Sequence, residues 1–217
     1  IGDQGAERLA SAPERNATVT TLRLAYNGIG GQGAAQLAEA LERSAAVTTL
    51  DLRGNDLRAR GAGRLEDREA TSPDPGGGRR GGQGLERLAA ALEGNASLAL
   101  LDLRLNDIGP RGAERLAAAL ERNSTVTALN LAGNAVGPQG AARLAAALEQ
   151  NAAVTALDLA LNGIGAQAQR VNAALARNRA GVRVLTVHCL PQGPERCGVV
   201  CTDMGGSEVA RLDMGLR

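Results

Sequence analysis

The sequence predicts an α/β solenoid, with short parallel strands on a concave side and helices on a convex side, built by stacking one unit. Three observations predict it. A pattern recurs with a period near 28 residues, and a fixed period in this range marks a repeat architecture. Inside each unit the apolar spacing changes from alternation to the spacing of a helix face. Between those two stretches stands a turn rich in asparagine and glycine.

Each unit is counted here from its first inward leucine, offset zero. Leucine falls at offsets zero and two: Leu22/Leu24, Leu50/Leu52, Leu101/Leu103, Leu129/Leu131 and Leu157/Leu159. Asparagine falls at offset five (Asn27, Asn55, Asn106, Asn134, Asn162), and an aliphatic residue at offset seven (Ile29, Leu57, Ile108, Val136, Ile164). The run Val126–Leu131 alternates, as a strand with one buried face does. Ala113, Leu116, Ala117 and Leu120 then share one face of a helix. One unit cannot bury both faces alone, and stacked units can. The asparagines, stacked at one offset, are placed to satisfy backbone groups left unpaired where the strand turns inward.

Residues 1–21 form the back of a unit, from Ile1-Gly2 in the turn to Val19. Pro13 stands where other units place the second helix leucine, so that helix is expected to be short or broken. The chain starts with Ile at offset seven, which reads as a fragment or a trimmed chain. The first complete unit is 22–49. The second begins at Leu50 and loses the pattern after Leu65. Residues 66–84 are rich in Pro, Gly and charge, and the helix pattern resumes at Leu85–Leu92. Two readings compete. The preferred one is a loop inserted on the helical side, because Pro73 and Pro75 at inward strand positions would break a central ladder. The other is a decayed extra unit, since Gly84, Leu88, Leu92, Asn95 and Leu98 keep register; an error in the gene model is a third. Units 101–128 and 129–156 are regular. In 157–184, Ala168 replaces a glycine and the helix is shifted by one residue. Val182–Val187 then offers a sixth strand in phase. The solenoid is expected over 1–187, with 188–217 a diverged cap or tail.

These residues resemble the leucine-rich repeat family, in its ribonuclease-inhibitor-like subclass. The shared motif is Leu-x-Leu-x-x-Asn-x-Ile/Leu-Gly followed by a helix, with a 28-residue period. The resemblance implies a horseshoe solenoid and a protein-binding surface. It is similar to the repeat segment of nucleotide-binding oligomerisation-domain-like receptors. The chain contains no P-loop, and it lacks the cysteine richness and alternating repeats of the ribonuclease inhibitor itself.

Composition narrows the function. Net charge is +1, which gives no general attraction to nucleic acid or membrane. All 24 basic residues are arginine, and Tyr26 is the single aromatic, so aromatic interface anchors are scarce. Three cysteines do not make a disulfide scaffold, and no apolar run reaches spanning length. Gly28–Gly33 spells the dinucleotide-binding pattern of glycines, but it coincides with the repeat's own turn. His188, Cys189, Cys197 and Cys201 lack a Cys-x-x-Cys pair, so a zinc site is not expected. Asn16, Asn95 and Asn123 head glycosylation sequons at a recurring repeat position, which gives them a structural reading. A His-based catalytic dyad would need the single histidine, and no nucleophile motif accompanies it.

The expected function is therefore protein recognition through the concave sheet, with no cofactor, no metal and no enzymatic activity, in the cytoplasm. Offsets one and three point away from the core. The expected contact residues are Arg23, Tyr26, Asp51, Arg53, Asp102, Arg104, Asn130 and Asp158. If the insertion loops out, Asp51 and Arg53 become neighbours of Asp102 and Arg104, like charge beside like. Two alternatives stand beside this: a GTPase activator, as in Ran GTPase-activating proteins that share the repeat, and a non-functional fragment of a larger repeat protein.

Overall fold

The computed structural model describes residues 1–11, 17–57 and 77–179, together with three strand segments beyond them; side chains are described outside 77–82 and up to residue 179. Helices and strands alternate: α1 (Gly2–Ala10), β1 (Thr21–Arg23), α2 (Gly31–Arg43), β2 (Thr49–Asp51), α3 (Gly77–Gly94), β3 (Leu100–Asp102), α4 (Gly109–Arg122), β4 (Ala128–Asn130), α5 (Gly137–Gln150), β5 (Ala156–Asp158) and α6 (Gln167–Asn178). β1 to β5 form one parallel sheet in sequence order. Register passes from leucine to leucine: Leu22 to Leu50, Leu101, Leu129 and Leu157.

The core is what the period dictates. Leu50, Leu52 and Leu57 from the second strand region, and Leu101, Leu103 and Ile108 from the third, are fully buried. Against them lie Ala113, Leu116, Ala117 and Leu120 of α4, and Ala141, Leu144, Ala145 and Leu148 of α5. Each leucine buried this way contributes roughly 1.5–3 kcal/mol. Small residues set the helix spacing. A Cβ on Gly140 would come within 2.9 Å of the Ala113 Cβ and 2.8 Å of Val136. Between α2 and α3 the approach is closer still, since a Cβ on Gly84 would meet the Gly31 backbone. α1 ends at Ala10, three residues before Pro13, and the residue preceding a proline resists helical geometry.

Two features differ from the sequence-based expectation. β2 pairs with β3 directly, Leu50 on Leu101, yet α3 begins at Gly77, so residues 77–84 of the expected insertion are helical. Residues 66–76 of that insertion lie outside the described residues. Of the expected sixth strand, the described part is β6 (Leu185–Thr186). It pairs antiparallel with β7 (Gly198–Thr202), which pairs with β8 (Glu208–Asp213). It therefore belongs to a second, three-stranded sheet. The pattern in 182–187 lacks an asparagine at offset five, where Leu190 stands, so the amide that links one unit to the next is missing.

Two amide ladders run through the stack. The Asn134 side chain donates to the carbonyls of Leu103 and Leu131, and its Oδ1 accepts the N–H of Asn106 at 2.8 Å. Asn162 serves Asn134 and Val136 in the same way, and Asn55 serves Asn27 and Ile29. The turn that makes this possible places offset four in the left-handed region at Tyr26, Gly54, Leu105, Gly133 and Leu161. Offset six is left-handed at Gly28, Asp107, Ala135 and Gly163, and Asp56 is the exception. At that exception the ladder has a gap. Asn106 still donates to the Leu52 carbonyl at 2.9 Å, but its buried Oδ1 has no partner. A second ladder closes the helix C-termini. The Asn123 side chain donates to the Leu92 and Asn95 carbonyls and accepts from Thr125 and Val126. Asn95 and Asn151 repeat that role. The sequon asparagines 95 and 123 are thus buried structural groups; Asn16 lies outside the described residues.

Candidate functional site

The concave face is built from offsets one and three, which alternate with the inward leucines. Sheet register sets Arg23, Asp51, Asp102, Asn130 and Asp158 in one row. Arg53 and Arg104 stand two residues beyond Asp51 and Asp102. Like charge does sit beside like across β2 and β3, and each is answered along its own strand. Arg53 Nε lies 3.4 Å from Asp51 Oδ2. The Arg104 Nε bonds both Asp102 oxygens, at 3.2 and 3.1 Å, and a second guanidinium nitrogen lies 3.0 Å from Oδ2.

Exposure divides the expected contact residues. Arg23 and Tyr26 are exposed, and Asp51 and Arg53 are half-buried. Asp102 (5 %), Arg104 (7 %), Asn130 and Asp158 are buried within the chain itself. Their side chains hold backbone. Oδ1 of Asp51, Asp102, Asn130 and Asp158 each accepts the N–H two residues on, at 2.9–3.1 Å. This role was not read from the sequence. Its signal was present in the recurrence of Asp or Asn at offset one in four of five units, because short acceptor side chains satisfy a backbone N–H two residues ahead.

The rim of the sheet carries exposed apolar groups. Tyr26 is 57 % exposed, Leu105 49 % and Leu161 73 %. All three stand at offset four, so Tyr26 is a rim residue, just beyond its strand. Its ring lies across Gly54, and Leu105 lies across Gly133. Only Tyr26 was expected at a binding surface.

The glycine pattern at 28–33 has a structural occupant. Asp3 of α1 accepts the N–H groups of Gly30 at 2.7 Å and Gly33 at 2.9 Å. A carboxylate already fills the place a phosphate would take at the start of α2. Among the described residues no group of three or more His, Cys, Asp and Glu is arranged to hold a metal. The side chains of His188, Cys189, Cys197 and Cys201 lie outside them. Among the described residues no helix is long and apolar enough to cross a membrane.

Four segments, 15–38, 45–65, 94–117 and 122–145, match the family described as Leucine Rich repeat. The fold is a leucine-rich repeat solenoid. Among solved structures, leiomodin-1 actin-binding site 2 superposes with a TM-score of 0.63 at 19 % identity, over 82 % of this chain and 90 % of that one. The tropomodulin C-terminal domain of Caenorhabditis elegans superposes with a TM-score of 0.59 at 17 % identity, over 83 % and 95 %. At these identities the likeness concerns the leucine-rich repeat fold. No curated protein matches the sequence. The matched segments are leucine-rich repeats, and the parallel sheet stacks them as one solenoid.

Proposed function

We propose that this leucine-rich repeat solenoid recognises a protein partner through the β1–β2 end of its concave sheet, in the cytoplasm, as a non-catalytic module of the ribonuclease-inhibitor-like subclass. The observation that carries the reading is the exposure gradient along the concave row. Arg23 is exposed and Ala25, Asp51 and Arg53 are half-buried, whereas Asp102, Arg104, Asn130 and Asp158 are buried. The 28-residue period and the helix that follows each motif support the subclass. The contact set proposed from the sequence thereby contracts to Arg23, Asp51 and Arg53, joined by Tyr26 at the rim. The buried four act by keeping the sheet in shape.

Charge reversal at Arg104 does not test this, because it would bury an uncompensated charge beside Asp102 and destabilise the chain. Ala25→Arg combined with Arg23→Glu changes the open end and leaves the core intact. Affinity capture from a cell extract with the parent chain and with this variant decides the matter. A protein held by the parent and lost by the variant is expected. Equal capture by both discards the concave surface, and no specific capture by either discards protein recognition. Actin is the first defined probe, since a solved structure sharing the fold is an actin-binding site.

A further inference from the structure

We propose that the convex face of α3, α4 and α5 docks an acidic helix of a partner protein on a row of three arginines, Arg87, Arg115 and Arg143. The row shares no residue with the concave contact set and does not depend on it.

The repeat makes the row. Arg87, Arg115 and Arg143 stand 28 residues apart, each just before an inward leucine (Leu88, Leu116, Leu144) that is fully buried. They therefore take the same place on three helices that pack side by side, and all three are exposed. Four other arginines of the helices are answered within the chain: Arg43 by Glu39, Arg122 by Glu93, and Arg170 and Arg177 by Glu149. Among the described residues, Arg87, Arg115 and Arg143 form no ion pair. Arg111, one turn before Arg115, is exposed as well and widens the row at its centre. The glutamates beside the row, Glu86 and Glu114, are half-buried, and Glu114 accepts a hydrogen bond from Gln139 of α5. The more exposed charge along this line is guanidinium.

A guanidinium fork takes a carboxylate through two parallel hydrogen bonds. One exposed pair contributes little, so recognition rests on three engaged together. Packed helices lie about 8–10 Å apart, and the arginines repeat at that interval. An α-helix brings one face round every seven residues, about 10.5 Å, within the play of an arginine side chain. An extended strand presents one face at about 6.7 or 13 Å. Nucleic acid fits poorly. Its duplex carries a charge about every 1.7 Å of axis and would set phosphates against Glu86 and Glu114 as well. A second copy of this chain also fits poorly, because Glu93 and Glu149 on its own convex face are already held by Arg122 and Arg170.

The test uses the full chain and three synthetic helical peptides of about 18 residues, enough to span the row. One carries glutamate at every seventh position on a background of alanine and glutamine. The second replaces those glutamates with lysine, and the third spreads the same glutamates over different faces. Fluorescence anisotropy at about 20 mM salt is expected to show the first binding at least about tenfold more tightly than the others or a single-stranded DNA of equal length. Raising the salt to about 0.5 M should abolish that binding. The triple substitution Arg87→Gln, Arg115→Gln and Arg143→Gln is expected to weaken the first peptide at least about tenfold. Its midpoint of thermal unfolding should match the parent's, because these side chains are exposed and hold no ion pair. Arg122→Gln, which removes a convex arginine already paired with Glu93, should leave binding unchanged, as should Ala25→Arg at the concave end. Equal binding by the triple variant, equal binding of the spread peptide or the DNA, or no binding of the first peptide overturns the proposal.

Discussion

The asparagine at offset five does more than any other single residue in the unit. Asn134 joins two consecutive turns, donating to Leu103 and Leu131 and accepting from Asn106. Alanine there would leave the buried Asn106 N–H without its acceptor and take one of two amide donors from each of the Leu103 and Leu131 carbonyls. Asn134→Ala is therefore expected to cost roughly 2–4 kcal/mol in urea unfolding. Leu105→Gly should act in the opposite direction. It removes a half-exposed side chain from a left-handed backbone and is expected to gain about 0.5–1 kcal/mol. A loss of stability would show that Leu105 earns its conformation by packing on Gly133. Both residues were visible as members of the repeat. What a linear reading lacked was the backbone angle, which turns an ordinary leucine into a costly one.

At the scale of elements, neighbouring helices are held by small residues within and by charge outside. Gly140→Ala forces a methyl group against Ala113 and Val136, so α4 and α5 must separate. The expected cost is about 1–3 kcal/mol, read as a lowered midpoint of thermal unfolding. On the surface, Arg170 of α6 bonds Glu149 of α5 at 3.0 Å. The hydrogen bond and the nearby positive charge hold the Glu149 carboxyl below its ordinary value, and the same bond with the Glu149 negative charge raises that of Arg170. A lowered carboxyl value means the contact is fully formed above the ordinary carboxylate range and fades as pH falls through the folded-state value. In an NMR titration, Arg170→Gln should move the Glu149 midpoint upward. An unchanged midpoint would show that solvent already screens the pair. The helix face was legible because its spacing is periodic. The charged contacts were not, because they join residues 21 apart whose proximity depends on the stacking angle.

For the whole molecule, the sequence pattern was enough to place five parallel strands and the helices behind them. Leucine at offsets zero and two fixes which face turns inward, and a one-residue slip would reverse it. The sixth strand failed for a reason that lies in the chain: Leu190 cannot carry an amide ladder, and β6 pairs with β7 instead. The candidate site was half legible. Alternation placed Arg23, Asp51 and Asp102 in one row, but it says nothing about depth, and depth separates Arg23 from Arg104. Nor could it assign the offset-one carboxylates to the N–H groups two residues away, since in a strand such side chains usually face solvent.

The gap at Asn106 has a mechanical consequence. In a linear array each unit holds only its neighbours, so the array yields at its weakest joint. Between β2 and β3 that joint lacks the acceptor half of its amide bridge on the rim, while Gly31 and Gly84 clamp it on the convex side. The stack is then a book bound along its spine and loose at one page. Opening should begin at the rim and swing about the α2–α3 contact. Amide exchange in low denaturant should accordingly show residues 20–57 and 100–165 as two blocks, each cooperative within itself. A single cooperative block across both would mean that the spine alone governs the opening.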